Sequence, residues 1–403
     1  MKAVVFHDVG DIRLEEVPDP RIQRPSDAIV RLTSSAICGT DLHFVRGTVA
    51  PMKPGTILGH EGVGVVEEVG ADVRNLKPGD RVVIPSTLGC GYCSYCRAGY
   101  YAQCDNINPN GPQAGTSFFG GPEATGPFDG LQAEYARIPF AAINHVKLPG
   151  NVTDEQALLV SDIFPTAYYG ADIAEITPGD SVAVYGLGAV GQFAVVSAFL
   201  MGAGRVFAVD REPSRLELAR EQGAEVVDFD EEDPVDTIYR LTGGIGVDRT
   251  IEAVGVDAEH AHEGPTASSG EQREAEHAET EALTGGISPH GEGWRPGDAP
   301  SKSLEWAVRS TAKGGSIGIV GVFPPYATDF PIGLIQQRNL TVKGGNCNHR
   351  RYIPELVEYV ASGVVEPTRF ISEERSISSA IDAYGTFDRR EPGWMKVELD
   401  PTG

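Results

Sequence analysis

Long apolar runs are missing from this chain of 403 residues. No stretch of about eighteen apolar side chains occurs, which excludes a membrane-spanning helix, and no basic segment leads into an apolar one near Met1, so no secretory leader is expected. Cytoplasmic residence follows as the expectation. Basic charge is also scarce: 33 Lys and Arg stand against 57 Asp and Glu, for a net charge of −24, and only eight of the 33 are Lys. Without a basic patch to offset that field, neither nucleic acid nor an anionic membrane is a partner. Such an acidic, Lys-poor composition suits a salty cytoplasm or a biased genome.

Cysteine is rare as well, six in all, yet four of them crowd into LGCGYCSYCRAGYYAQC. Cys90, Cys93, Cys96 and Cys104 are spaced C-x2-C-x2-C-x7-C, and four thiolates so placed can close a tetrahedral shell around a structural zinc. Two disulfides or a four-cysteine iron–sulfur site are the alternatives, and a reducing compartment favours metal over disulfides.

The length exceeds one compact core and implies two domains. Up to about residue 161, short β-like runs such as 63–69 and 81–85 alternate with Gly, Pro and Asp, the pattern of a mostly-β domain. The rhythm changes at 177–210, where strand, glycine turn, apolar helix and strand make one βαβ unit. Further strand candidates at 225–228, 248–254, 316–322 and 340–343 predict a doubly wound parallel sheet. Residues 257–303 interrupt it with ten acidic residues, three basic ones and four His. That composition cannot form a core and predicts a long surface loop or partly disordered insertion with one short helix. From about residue 346 the chain is expected to return to the first domain, giving domains of 1–162 with 346–403, and 163–345, with the active site in the cleft between them.

Gly186, Gly188 and Gly191 form G-x-G-x-x-G around Ala189 and Val190, after a predicted strand and at the head of a predicted helix. Asp210 ends the next strand, nineteen residues beyond Gly191. Glycines in this setting let the backbone approach a pyrophosphate at a helix N-terminus, and the carboxylate binds the adenosine ribose. That carboxylate would repel a 2′-phosphate, which favours NAD over NADP, although Arg211 stands beside it.

A second constellation is scattered. ICGTDLH supplies Cys38, Thr40, Asp41 and His43; LGHEGVG supplies His60 and Glu61; SDIFPTAYYGA supplies Asp162. Cys, His and a carboxylate make a mixed ligand set of the kind a catalytic zinc with one open position requires.

Together with KPGDRV and the terminal GTF…MKVEL, these motifs make the chain resemble the zinc-dependent medium-chain dehydrogenase/reductases of the alcohol dehydrogenase superfamily, over nearly its whole length. The resemblance implies a GroES-like catalytic domain and a Rossmann cofactor domain, one catalytic and one structural zinc per chain, NAD, an alcohol or aldehyde substrate, and a homodimer or homotetramer. It makes Cys38, His60 and Asp162 the catalytic ligands, Asp162 standing where many relatives carry a second Cys. Glu61 matches the carboxylate beside the zinc that can replace its water. Asp41 matches the acid that orients His60, Thr40 the hydroxyl that takes the substrate proton, and His43 the surface end of the relay. Lys396 aligns with a basic pyrophosphate contact, while Gly39 replaces a basic residue of some relatives. Asp162 in its context and the 257–303 insertion resemble the glutathione-independent formaldehyde dehydrogenase and dismutase branch, in which NAD can stay bound; a polyol or threonine dehydrogenase is the further alternative. Cys347 is expected to be a packing residue, with His349 beside the cleft.

Overall fold

The computed structural model describes residues 1–49, 51–110, 115–126, 128–262, 264–284, 294, 296–325, 327 and 329–403. They divide into two units: the first takes in Met1–Pro165 and Asn346–Gly403, and the second the described residues from Thr166 to Gly345 apart from Trp294.

The first unit begins with the hairpin of β1 (Lys2–Asp8) and β2 (Asp11–Glu16), turned at Gly10 with φ 75°. β3 (Ala28–Ile37), β4 (Gly62–Val69), β5 (Arg81–Ile84), β6 (Tyr135–Ile138) and β7 (Val146–Lys147) follow. The second unit carries β8 (Ser181–Tyr185), β9 (Arg205–Asp210), β10 (Glu225–Asp228), β11 (Val247–Glu252), β12 (Thr311–Ile319) and β13 (Thr341–Gly344). The chain then returns to the first unit with β14 (Glu373–Ser376) and β15 (Val397–Asp400).

In the first unit the sheet order is β14-β15-β3-β4-β5-β7, with β6 also on β3. β3, AIVRLTSSAI, is rich in the β-branched residues that suit a buried pleat, and it pairs antiparallel with β4, β6 and β15. The four-cysteine segment packs into the core under this sheet: Leu88, Cys90, Cys96 and Cys104 lie with Val30, Val66 and Val82. A second core joins Val4, Phe6, Leu42, Phe44 and Tyr384, and Trp294 packs against it.

The second unit's sheet runs β10-β9-β8-β11-β12-β13, every pair parallel. This is the doubly wound order in which the chain reverses direction after its third strand. The helix Ala189–Leu200 links β8 to β9.

The acidic segment is more ordered than its composition predicts. Gly270–Thr284 is a helix of fifteen residues. Glu and Ala favour helix, Ser269 and Gln272 bond reciprocally at its start, Leu283 is 5 % exposed, and Glu276 and Glu279 accept from Ser268 and Ser301. Glu263, residues 285–293 and Arg295 of the predicted insertion lie outside the described residues.

Candidate metal centres and cofactor site

Antiparallel pairing explains how distant motifs meet. β3 ends at Ile37 and β4 starts at Gly62, with Ser35 opposite Gly62, so Cys38 leaving one strand and His60-Glu61 entering the other share one end of the sheet. Asp162 comes from another direction. It sits at the break between the helices Asp154–Ser161 and Ile163–Ile173, with φ −143° and ψ −62°. Ser86, just past β5, donates its amide to the Ser161 carbonyl at 3.2 Å and ties that break to the sheet.

Cys38, His60, Glu61 and Asp162 are all buried, and one ligand atom from each falls within 4.8 Å of the others. Asp162 Oδ2 is 3.4 Å from His60 Nε2 and 3.8 Å from Cys38 Sγ. Behind them, Asp41 lies fully buried in the helix Gly39–Val45. Its Oδ1 is 3.1 Å from His60 Nδ1, while its Oδ2 accepts from the Cys38 amide at 2.9 Å and from Gln132 Nε2 at 3.2 Å. One carboxylate thus stands against the imidazole and accepts from the thiol-bearing backbone.

Burial shapes the electrostatics. It pushes the Cys38 thiol up and takes Glu61 up to about 7 even with the Lys396 ammonium beside it. At Asp162 burial raises the pKa, but hydrogen bonds from His349 and His60 hold it well below the carboxylate range. Burial opposes a charged His60, yet Asp41 and Cys38 raise its pKa well above the ordinary value. Glu61 Oε2 is buried with no hydrogen-bond partner among the described residues. An orphaned carboxylate oxygen beside a thiol, an imidazole and a second carboxylate is a donor set that fits a divalent cation, and this mixture of N, O and S ligands suits zinc.

The second cluster fits zinc too. None of Cys90, Cys93, Cys96 and Cys104 is in a disulfide, so the disulfide alternative is absent. Cys93 Sγ and Cys104 Sγ are 3.9 Å apart, close to the roughly 3.8 Å edge of a tetrahedron with Zn–S bonds of about 2.3 Å. Amides of Cys90, Cys93 and Cys96 point at sulfur at 3.3 to 3.4 Å.

In the second unit Gly186 has φ 84° and Gly191 packs so tightly that a Cβ there would lie 1.8 Å from the Gly186 carbonyl oxygen. Gly188 differs: a Cβ there would meet nothing within 4 Å, leaving the cradle open where a pyrophosphate approaches the helix of Ala189, Val190 and Gly191. Asp210 Oδ2 accepts from the Leu187 amide at 2.7 Å, which locks the acid to the glycine turn. Arg211 is engaged elsewhere, with Asp230 at 2.7 Å, Glu259 at 3.4 Å and His262 Nδ1 at 2.6 Å. Neutralised by those groups, it is poorly disposed to take a 2′-phosphate, and the loop fits NAD.

Two expected residues sit differently from their sequence-based reading. His43, predicted at the surface end of a relay, is 3 % exposed, because its short helix is buried all round from Asp41 to Val45. Lys396, 1 % exposed, pairs with Glu61 and donates to the Ile37 carbonyl at 3.2 Å. Thr40 is half-buried at the start of the same helix as His43. Sequence reasoning missed several contacts. His349 Nε2 bonds Asp162 Oδ1 at 2.6 Å, Phe118 stands edge-on to the His60 ring at 6.0 Å between centroids, and Tyr384 donates to Gln132 at 2.8 Å. Only the neighbouring NCNH string hinted at the first.

The Alcohol dehydrogenase GroES-like domain model matches residues 24–150 and the Zinc-binding dehydrogenase model residues 189–261. The zinc-type alcohol dehydrogenase-like protein AdhB of Bacillus subtilis is 36% identical over 405 residues, covering 100% of both chains. The chain belongs to the zinc-type alcohol dehydrogenase family. The glutathione-independent formaldehyde dehydrogenase of Pseudomonas aeruginosa is 32% identical over 99% of this chain and 97% of its own. Among solved structures, alcohol dehydrogenase TADH from Thermus sp. ATN1 superposes with a TM-score of 0.81 at 34% identity, covering 99% of each chain. This zinc-type alcohol dehydrogenase is a zinc-dependent alcohol oxidoreductase of the medium-chain family, acting on small alcohols or aldehydes. No helix among its described residues is long and apolar enough to cross a membrane.

Proposed function

We propose that this dehydrogenase oxidises a primary or secondary alcohol with NAD at the cluster of Cys38, His60 and Asp162. The observation that carries the reading is the convergence of four buried donors within 4.8 Å, one of whose oxygens is left unpartnered. Cys38, His60 and Asp162 would hold the metal and leave a position open, with Glu61 the alternate fourth donor that Lys396 restrains. When bound, zinc supplies Lewis acidity that lowers the pKa of an alcohol hydroxyl, and NAD supplies the hydride acceptor. Asp41 keeps the His60 tautomer with Nε2 free, and the buried shell excludes water. Thr40 accepts the substrate proton, and His43 passes it on; with 3 % exposure, His43 needs the cofactor ribose or a water to complete its exit. Gly186, Gly188 and Gly191 seat the pyrophosphate and Asp210 the ribose.

A second reading is a glutathione-independent formaldehyde dehydrogenase or dismutase with retained NAD. The Pseudomonas aeruginosa relative and the carboxylate ligand at Asp162 favour it. Cytoplasmic residence and a homodimer or homotetramer belong to the same proposal; a four-cysteine cluster without disulfides suits a reducing compartment.

Metal and nucleotide content of the purified protein tests both. Two zincs per chain, falling to one in Cys38→Ala with turnover lost at least about 1000-fold, is the expected result. Stoichiometric NAD released on denaturation would favour the formaldehyde branch. One zinc in the unaltered protein, or full activity in Cys38→Ala, would overturn the assignment.

A further inference from the structure

Asp162 divides its two oxygens. Oδ2 faces His60 and Cys38, at 3.4 and 3.8 Å, while Oδ1 receives the Nε2 of His349 at 2.6 Å. A cysteine at this place offers a metal one donor atom by construction. A carboxylate offers two, and binding through both would fill the position that an alcohol needs. Something must therefore make the carboxylate behave as a single donor.

We propose that His349 is the positioning residue that does so: it engages Oδ1 and turns Oδ2 alone towards the metal, a role that rests on Asp162 being a ligand of the catalytic zinc. The ring is built in rather than adventitious. His349 is 3 % exposed and opens the helix His349–Ala361. Its Nδ1 lies 2.9 Å from Thr87 Oγ1, and that hydroxyl is 3.0 Å from the Cys347 carbonyl oxygen. Next to it, Asn348 Oδ1 accepts from the Ala102 amide at 3.0 Å, so the start of the helix is pinned to the four-cysteine lobe. A metal-bound carboxylate has no proton to give, so Nε2–H donates to Oδ1, and in the neutral ring Nδ1 then accepts the Thr87 hydroxyl proton. The chain Thr87, His349, Asp162 thus holds the oxygen-donor ligand from one side as Asp41 holds His60 from the other. It also joins the two metal clusters mechanically, through Asn348 and Ala102.

The test uses the full-length holoenzyme and reads metal retention. His349→Leu, His349→Gln and Asp162→Asn are compared with the unaltered protein for release of zinc to a chelating dye, for the visible bands of the cobalt-substituted catalytic site, and for thermal midpoint. His349→Leu is expected to release one zinc about 10 to 100 times faster, keep the other, and shift the cobalt bands. His349→Gln, whose amide N–H can reach Oδ1, should restore most of both. Native release and spectrum in His349→Leu, alongside loss of one zinc in Asp162→Asn, would overturn the inference alone. Native zinc retention in Asp162→Asn would instead overturn the ligand reading beneath it. Should His349→Leu fail to fold, Thr87→Val decides: a smaller change in the same direction supports the role, and no change overturns it.

Discussion

At the scale of single residues, burial decides which charges the fold tolerates. Glu398, in β15, accepts from Ser34 Oγ at 2.6 Å, and burial pushes its carboxyl up from 4.5 to about 7, with Glu155, Glu374 and Asp154 adding negative charge. A raised carboxylate pKa means that the native state binds the proton more tightly than the unfolded chain does. The contribution to stability is therefore full below pH 4.5 and is lost as the pH rises through 7. Glu398→Gln should melt within a degree of the unaltered protein at about pH 5 and be more stable by roughly 1 kcal/mol at about pH 8. An equal effect at both would show that the group is not protonated in the fold. The same scale shows the reach of a one-dimensional reading. Cys38, Asp41 and His60 were legible because their motifs are short and chemically distinctive. Lys396 against Glu61 and His349 against Asp162 were not, since those pairs are 335 and 187 residues apart along the chain.

Among the elements, the cysteine lobe owes least to hydrogen-bonded secondary structure. Its helix is Ser94–Arg97, four residues, followed by the three-residue turn Tyr101–Gln103. Helices so short do not stand alone. Backbone amides converge on sulfur instead, so a metal held by the four thiolates would be the element's core. Cys93→Ser should release one zinc and lower the thermal midpoint by at least about 5 °C, while the catalytic zinc remains; an unchanged midpoint would count against a structural metal. The acidic helix Gly270–Thr284 makes the opposite point. Charge composition predicted a loop with one short helix, and helix propensity, the Ser269 and Gln272 pair and the buried Leu283 extend that helix to fifteen residues. Trp294, ten residues on, packs against the core that holds Leu42, Phe44 and Tyr384, an arrangement that no local pattern signals.

For the molecule as a whole, the net charge of −24 sets how stability answers to salt. Like charges repel across the surface, and raising ionic strength shortens the screening length from about 10 Å at 0.1 M to about 3 Å at 1 M. The midpoint of thermal unfolding should rise between about 0.05 and 1 M potassium chloride, with activity retained. A fall would mean that the ion pairs, such as Arg31 with Glu67 and Arg205 with Glu225, outweigh the net repulsion. Taken by itself, the sequence determined the parallel sheet with its glycine turn, the four-cysteine cluster and the membership of the buried cluster of Cys38, His60, Glu61 and Asp162. Strand periodicity, glycine spacing and cysteine spacing are local properties, and local chemistry dictates them. Only the tertiary structure decided that Asp162 would sit at a helix break facing Cys38 and His60, that Lys396 would neutralise Glu61, and that His349 would engage one oxygen of Asp162. Those choices come from strand pairing and burial, which bring together residues that the order of the chain keeps apart.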